Sequence, residues 1–462
     1  MNFREAIHDE RLAINEETFN NVDFYGNQGQ WYAKRFVDCI FNNGFRVQFN
    51  SGEITFLNCV FDESTDALLS FTHKGNFKFE NCTFHRKLTI KTASEVSISD
   101  TKIKGTLKFQ KHDYDEIKIW NTEFIHHIAQ IAIGDILNSE SGNIEFNNLD
   151  VGEVIFSDYI GKKVRIWNGN YGNIYLNNVQ NLQNLQIWGD NATNNTIKIK
   201  QLMMHYLNLE GYVLIKFAEI DSWDISPFDF KKGAMRMQSV VINKEAIITQ
   251  SNLSKVQFND VNFSNAKLIL DGTFLSETRF ANILWPKEFL VTSGMTSGTK
   301  EEMVLMLHAK REVYRQLKKV SSGEANNIEA LKFFRNEMAT YWERVKLDKT
   351  ESRANRFLIR VNRATSNFGQ SYWYPIFWML GIHLFLCTGI WIVEAHELGV
   401  LFNGENLDVS KGIKEFFTWL IPIYKAPENW TDVSATIGVF TRVFSGFFIF
   451  HIIKATRKFG KV

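Results

Sequence analysis

One pattern constrains this chain more than any other. An apolar–x–apolar–x–Asn/Asp–x–x–apolar motif reads Ile54-Thr-Phe56-Leu-Asn58-Cys-Val-Phe61 and returns as Phe77-Lys-Phe79-Glu-Asn81-Cys-Thr-Phe84. It recurs as Val96-Ser-Ile98-Ser-Asp100-Thr-Lys-Ile103 and Ile117-Lys-Ile119-Trp-Asn121-Thr-Glu-Phe124. Further copies begin at Ile144, Val164, Leu185, Leu207, Met235, Val256 and Thr278, with Gly189, Gly211 and Ser239 replacing the Asn in three of them. An earlier copy, Lys34-Arg-Phe36-Val-Asp38-Cys-Ile-Phe41, precedes the series. The mean step is about 22 residues, a repeat-protein period. The longer steps, Ile117 to Ile144 and Leu207 to Met235, predict loops of several extra residues.

The physics of that period is specific. Apolar and polar residues alternating over three to five positions make a short strand. The Asn or Asp then turns the chain, because these residues tolerate left-handed backbone and bond their own main chain. Coils stacked at ~4.8 Å build long parallel sheets around a narrow apolar core. The composition fits: the 40 Phe of the chain serve the coil core and the membrane domain, the 42 Asn fall mostly at corners, and Pro, which would remove a ladder donor, numbers only 5. Cys39, Cys59 and Cys82 share one slot of the repeat and read as a column of small apolar side chains, with a metal or redox column as the competing reading. No CxxC is present, and neither a cofactor nor a metal is expected.

The Phe-x-Asn-Cys-x-Phe copies resemble degenerate pentapeptide repeats. That resemblance implies a right-handed parallel β-helix over residues 1–298. The sequence departs from the family pattern, since few segments keep a five-residue beat, and a general right-handed β-helix fits as well.

After Gly298 the period changes. Met303, Met306, Leu307, Val313, Tyr314 and Leu317 keep helical spacing, Ser321-Ser-Gly323 breaks it, and Leu331, Phe334, Met338, Tyr341 and Val345 resume it. Asn326 with Glu329 predicts a capping box. An α-helical hairpin therefore occupies the start of a connector spanning 299–366. Its segments Tyr314-Arg-Gln-Leu-Lys-Lys and Glu329 to Met338 resemble a connector between pentapeptide-repeat and membrane segments. Arg353, Arg356, Arg360 and Arg363 step by helical intervals into a basic stripe. The expected contact is anionic lipid headgroups, against the plainer reading of a solvated helix face.

Residues 367–462 predict a transmembrane domain. Tyr372 to Val393 contains no Asp, Glu, Lys or Arg, and a ~30 Å hydrocarbon core needs about 20 such residues. Tyr372, Trp373, Tyr374 and Trp391 mark its ends as interfacial anchors do. A second span runs from Val433 to Ile453 and carries Arg442. Between them Ile413 to Tyr424 is apolar but too short to cross, which predicts a re-entrant or interfacial segment.

Charge sets the orientation. The overall balance, +1, hides an acidic front and a basic back. Both flanks of the spans are basic and the loop between them is acidic, so the β-helix and the C-terminus are expected in the cytoplasm of a bacterial-type inner (plasma) membrane. The start, MNFREAIHDERLAINEE, shows no apolar signal region. The near-even total argues against a globally basic nucleic-acid binder.

Span, short segment and span resemble a two-span potassium-type channel domain. Asn362 to Tyr372 followed by Tyr374-Pro-Ile-Phe resembles the approach to the first span in pentapeptide-repeat proteins carrying such a domain, Phe416-Phe-Thr-Trp419 resembles a pore helix, and Gly438 to Gly446 the start of an inner helix. The resemblance implies a homo-oligomer, a tetramer by family stoichiometry, with Thr418, Ile421, Pro422, Tyr424, Lys425 and Ser445 as pore-lining candidates. The stretch matching the selectivity filter, Leu420 to Pro427, holds no glycine, and Lys425 would repel cations in a symmetric ring. His383, mid-span, reads as an interhelical hydrogen bond or as a gating or pH-sensing group. Arg442 is a second gating candidate, with snorkelling, pairing or lipid binding as its plainer roles.

No Walker A loop, GxGxxG, HExxH or GxSxG is present, and no enzymatic activity is expected. Carboxylates such as Asp100 and Asp260 fall in turn slots rather than on strands. His126-His127 reads as a surface-loop pair. The expected function is a membrane-anchored channel-like protein gated or assembled through its β-helix. A non-conducting, membrane-tethered binding scaffold with a protein partner on the β-helix is one alternative. A membrane-permeabilising stress or antiphage effector is another.

Overall fold

The computed structural model describes residues 3–8, 13–25, 34–110, 114–124, 130–190, 196–229, 233–287, 289–290, 299–348, 351–369, 371–397, 413–414, 416–418, 420–421 and 431–456. Two compact units emerge, Met1–Met295 and Thr296–Val462.

The first unit is a parallel β-solenoid, in which each strand pairs with those one coil before and after it. The sequence alternation sets the register. Phe36 lies opposite Phe56, Phe56 opposite Phe79, Phe79 opposite Ile98 and Ile98 opposite Ile119. Farther along, Ile187, Ile215, Met237, Phe258 and Phe280 succeed one another in the same column. The Phe rings stack: centroids of Phe56 and Phe79 are 5.1 Å apart at 5° and those of Phe61 and Phe84 4.3 Å apart at 11°. Phe dominates the early coils of this column, Ile and Met are commoner in the middle ones, and Phe returns at Phe258 and Phe280. Helix α1 (Phe3–His8) closes the beginning of this core, with Phe3 packed on Phe19, Phe36 and Phe45 at 5.3–5.5 Å.

The corners are left-handed, as the Asn and Asp slots predict. Asp38, Asn58, Asn81, Asp100, Asn121, Asn148, Asp260 and Asn282 have φ between 48° and 54°. Their side chains form a ladder with a direction. Asn58 Nδ2 donates to Asp38 Oδ1 at 3.0 Å and Asn81 Nδ2 donates to Asn58 Oδ1 at 2.8 Å. The polarity repeats from Asn121 to Asp100, from Asn148 to Asn121 and from Asn282 to Asp260. A carboxylate accepts but cannot donate. Each Asp therefore ends a run on its N-terminal side, and Asp100 makes no such bond to Asn81 among the described residues.

One copy of the repeat is misplaced by sequence. Val213 and Ile215, not Leu207 and its successors, pair with Leu185 and Ile187, and the corner is Phe217 at φ 50° rather than Gly211. The long step thus runs from Leu185 to Val213. Leu207 is buried on a different part of the coil, near where Asn178 N–H bonds His205 O.

Cys39, Cys59 and Cys82 form the expected inward column, free and at most 1% exposed. Each thiol lies against the carbonyl two residues back, Val37, Leu57 or Glu80. Thr101 and Thr122 continue the slot with hydroxyls that donate to Ser99 O and Trp120 O. The slot thus selects a small side chain with an X–H donor. Among the described residues no group of His, Cys, Asp and Glu is arranged to hold a metal.

The second unit begins with an αα-hairpin, α2 (Lys300–Gly323) and α3 (Asn327–Leu347). Thr299 and Glu302 make a complete capping box on α2. At α3 only half of the predicted box forms: Asn326 Oδ1 accepts the Glu329 N–H, while the Glu329 carboxylate turns to Lys332 at 2.6 Å. Helix α2 runs through Ser321 to Gly323, and the break falls at Glu324 and Ala325. Glu337 is buried between the helices, held by Lys318 Nζ at 2.6 Å and Arg311 Nε at 3.9 Å. Helices α4 (Arg353–Ser366), α5 (Trp373–Glu397) and α6 (Asp432–Thr456) follow. The last two are long and apolar enough to cross a membrane.

Candidate functional site

Helices α5 and α6 pack side by side, and several polar side chains are buried there beside apolar ones such as Cys387, Ile390 and Phe448. The α6 residues Ser434, Gly438, Thr441 and Ser445 recur at helical spacing and are buried. Small residues let helix backbones approach closely, and polar ones bond across the seam. His383 is fully buried on α5. Its Nδ1 is 3.0 Å from Met379 O, and its Nε2 is 2.8 Å from Ser445 Oγ. A carbonyl can only accept, so Nδ1 carries the proton. In the neutral ring Nε2 is then the acceptor for the Ser445 hydroxyl. That hydroxyl also lies 2.8 Å from Thr441 O. It has one hydrogen for two acceptors. Phe416 closes the site edge-on, its centroid 6.4 Å from the His383 ring at 88°, and packs on the Cys387–Ile390 cluster.

His383 thus makes a hydrogen bond between the two helices, with Ser445 as its partner. Ser445, a pore-lining candidate, is buried inside the hairpin of a single chain. Arg442 is half-buried one residue after Thr441. Residues 413–414 and 416–418 are helical; Thr418 Oγ1 donates to Lys414 O at 2.7 Å, and Ile421 is exposed. Pro422, Tyr424 and Lys425 lie outside the described residues, as do His126 and His127.

The arginine stripe divides. Arg356 Nε and Nη2 donate to Glu351 O at 3.1 and 2.8 Å, so this guanidinium is tied to the backbone just before its own helix, whose N-cap is Ser352. Glu351 itself binds Arg344 at 2.8 Å. Arg353 is exposed on the first turn. Arg360 and Arg363 instead line a cavity of about 650 Å³ together with Lys346 and Trp342 of α3, Asn367 and Tyr374. Sequence reasoning named the two arginines and missed Lys346. Its helix precedes the stripe, and only the α3–α4 packing around Trp342, Val345, Ile359 and Phe368 brings it there.

On the solenoid, a second cavity of about 630 Å³ runs along an outer sheet face and is lined by Asp150, Glu219, Asp221, Lys198 and Lys200 among others. Asp100 and Asp260 sit at corners as expected, but these carboxylates lie on strands. Gly152 and Gly172 form part of the lining, and a Cβ on Gly172 would stand 2.0 Å from Gly152 O. Asp221 is held below the usual carboxylate range by Lys244, whose Nζ is 2.6 Å away.

No family model, curated protein or solved structure matches the chain.

Proposed function

We propose that this chain is a membrane-anchored β-solenoid scaffold: the α5–α6 hairpin holds it in the bilayer, and the solenoid offers its sheet faces to a protein partner. One observation carries the anchoring. His383 of α5 and Ser434, Thr441 and Ser445 of α6 are buried, while large apolar side chains point out, with Phe385 77% and Phe377 66% exposed on α5 and Val443 62% on α6. Water would make that arrangement costly, and hydrocarbon removes the cost. The basic flanks favour an orientation with the solenoid and C-terminus on the cytoplasmic side.

The scaffold reading is favoured over the channel-like one because Ser445 already has its partner within one hairpin, and the filter-like stretch has no glycine. Purified protein in planar bilayers decides between them. Silence, with a partner captured by the full chain and lost on deleting residues 30–285, supports the scaffold. Conductance from a tetrameric species assigns the channel-like role, and depolarisation of expressing cells assigns the permeabilising one.

A further inference from the structure

The cavity between α3 and α4 collects positive charge without neutralising it. Lys346, Arg360 and Arg363 line it, and no carboxylate does. Among the described residues none of the three is within ion-pair distance of an acid. Trp342 gathers two of the cations: Lys346 Nζ is 5.1 Å and Arg360 Cζ 5.8 Å from its ring. Arg360 and Arg363 are also one turn apart on α4, where like charges repel. All three side chains reach solvent, so an anion entering the cavity meets donors that no acid already holds. Guanidinium forks with an ammonium match the oxygens of a phosphate group.

Two features place the cavity at a membrane surface. Tyr374, on its wall, belongs to the first turn of α5, and Trp378 Nε1 donates to Ala364 O at 3.0 Å, pinning the end of α4 to that span. The last turn of α4 is also closed. Asn367 N–H bonds Arg363 O and Phe368 N–H bonds Asn362 O, so few bare carbonyls remain to repel an anion.

We propose that Lys346, Arg360 and Arg363, set around Trp342, form a binding site for a phosphate group, supplied by the headgroup of an acidic phospholipid. The location at the membrane rests on the anchored reading above; the anion site does not.

The test uses the full chain in nanodiscs of phosphatidylcholine alone or with phosphatidic acid, and counts co-purifying acidic lipid. The expected result is preferential retention of phosphatidic acid, falling about fivefold for each of K346Q, R360Q and R363Q. R353Q, on the same helix but off the cavity, leaves retention unchanged. Millimolar inorganic phosphate that displaces the lipid identifies a soluble phosphate as a competing source; failure to displace it assigns the lipid. Equal losses from R353Q and R363Q would reduce the site to diffuse charge and overturn the proposal, as would no loss from any variant. Failure to enter phosphatidylcholine nanodiscs would instead refute the anchoring. In that case phosphate binding by the detergent-solubilised chain, and its loss in R363Q, decides the site.

Discussion

Replacing Asn58 separates the two jobs that the corner residue performs. In Asn58→Ala the side chain loses the bond it donates to Asp38 at 3.0 Å and the one it accepts from Asn81 at 2.8 Å. Both are exposed, so each is worth about 0.5–1 kcal/mol. Alanine must also hold φ 54°, at about 1–2 kcal/mol. The total is about 2–4 kcal/mol. Asn58→Gly loses the same side-chain bonds but not the backbone tolerance, and should cost about 1–2 kcal/mol. The neighbouring Cys59 reports the result directly. It is buried, and its thiol is pushed up to about 12: the contact with Cys39 lowers it, but the contact with Cys82 and burial outweigh that. Alkylation therefore needs the coil to open. When closing outruns labelling, the rate follows the opening free energy. Asn58→Ala should then label at Cys59 at least about 30-fold faster than the parent, and Asn58→Gly about 5- to 30-fold faster. Equal rates in parent, Gly and Ala chains would refute both the ladder and the left-handed argument. Rates equal in Gly and Ala but above the parent would leave the ladder and remove the strain.

The same ladder predicts the opposite sign at its gap: Asp100→Asn supplies the missing donor to Asn81 and should slow Cys82 labelling a few-fold. Phe56→Ala, which empties the stack between Phe36 and Phe79, should lower the midpoint of urea unfolding by an amount worth about 3–5 kcal/mol, against less than about 1.5 kcal/mol for Phe56→Leu. Ser445→Ala removes the bond to His383 and should weaken the α5–α6 hairpin by about 0.6–1.7 kcal/mol in a detergent-unfolding titration, with the helices still formed. Besides Asp221, two carboxyls of the solenoid are held below the ordinary range, Asp62 chiefly by Ser64 and Asp115 chiefly by Ser94. Their folded values are depressed, so their stabilisation is full above the unfolded value near 4 and is lost as pH falls through the lower folded values. Acid titration of solenoid unfolding should show that loss, and Ser94→Ala should shrink it.

Much of this fold was legible because the repeat puts the same demand on every coil. Alternation at Ile54–Phe56 or Phe77–Phe79 sets which side chains enter, and Asn58 or Asn81 announces the left-handed corner. The span limits near Tyr372 and Val393 followed from charge alone. Prediction failed where a tertiary partner overrode a local signal. Phe217 occupies a left-handed corner with no local marker, and the sequence pattern points instead to Leu207 and Gly211. Glu329 left its capping role for Lys332. The direction of the Asn ladder, the pairing of His383 with Ser445, and the arrival of Lys346 beside Arg360 depend on which residues stack across coils or helices. One chain's sequence does not order those contacts.

The central claim is that α5 and α6 cross a membrane and leave the solenoid on the basic side. Single cysteines at Ser352, Asn403 and Lys461, introduced into the full chain with the native thiols replaced by serine or alanine, test it with a membrane-impermeant maleimide on sealed right-side-out vesicles. The account predicts labelling of Asn403→Cys from outside, and of Ser352→Cys and Lys461→Cys only after the vesicles are opened. Labelling of all three from the same side, or release of the protein by alkaline carbonate, would contradict it.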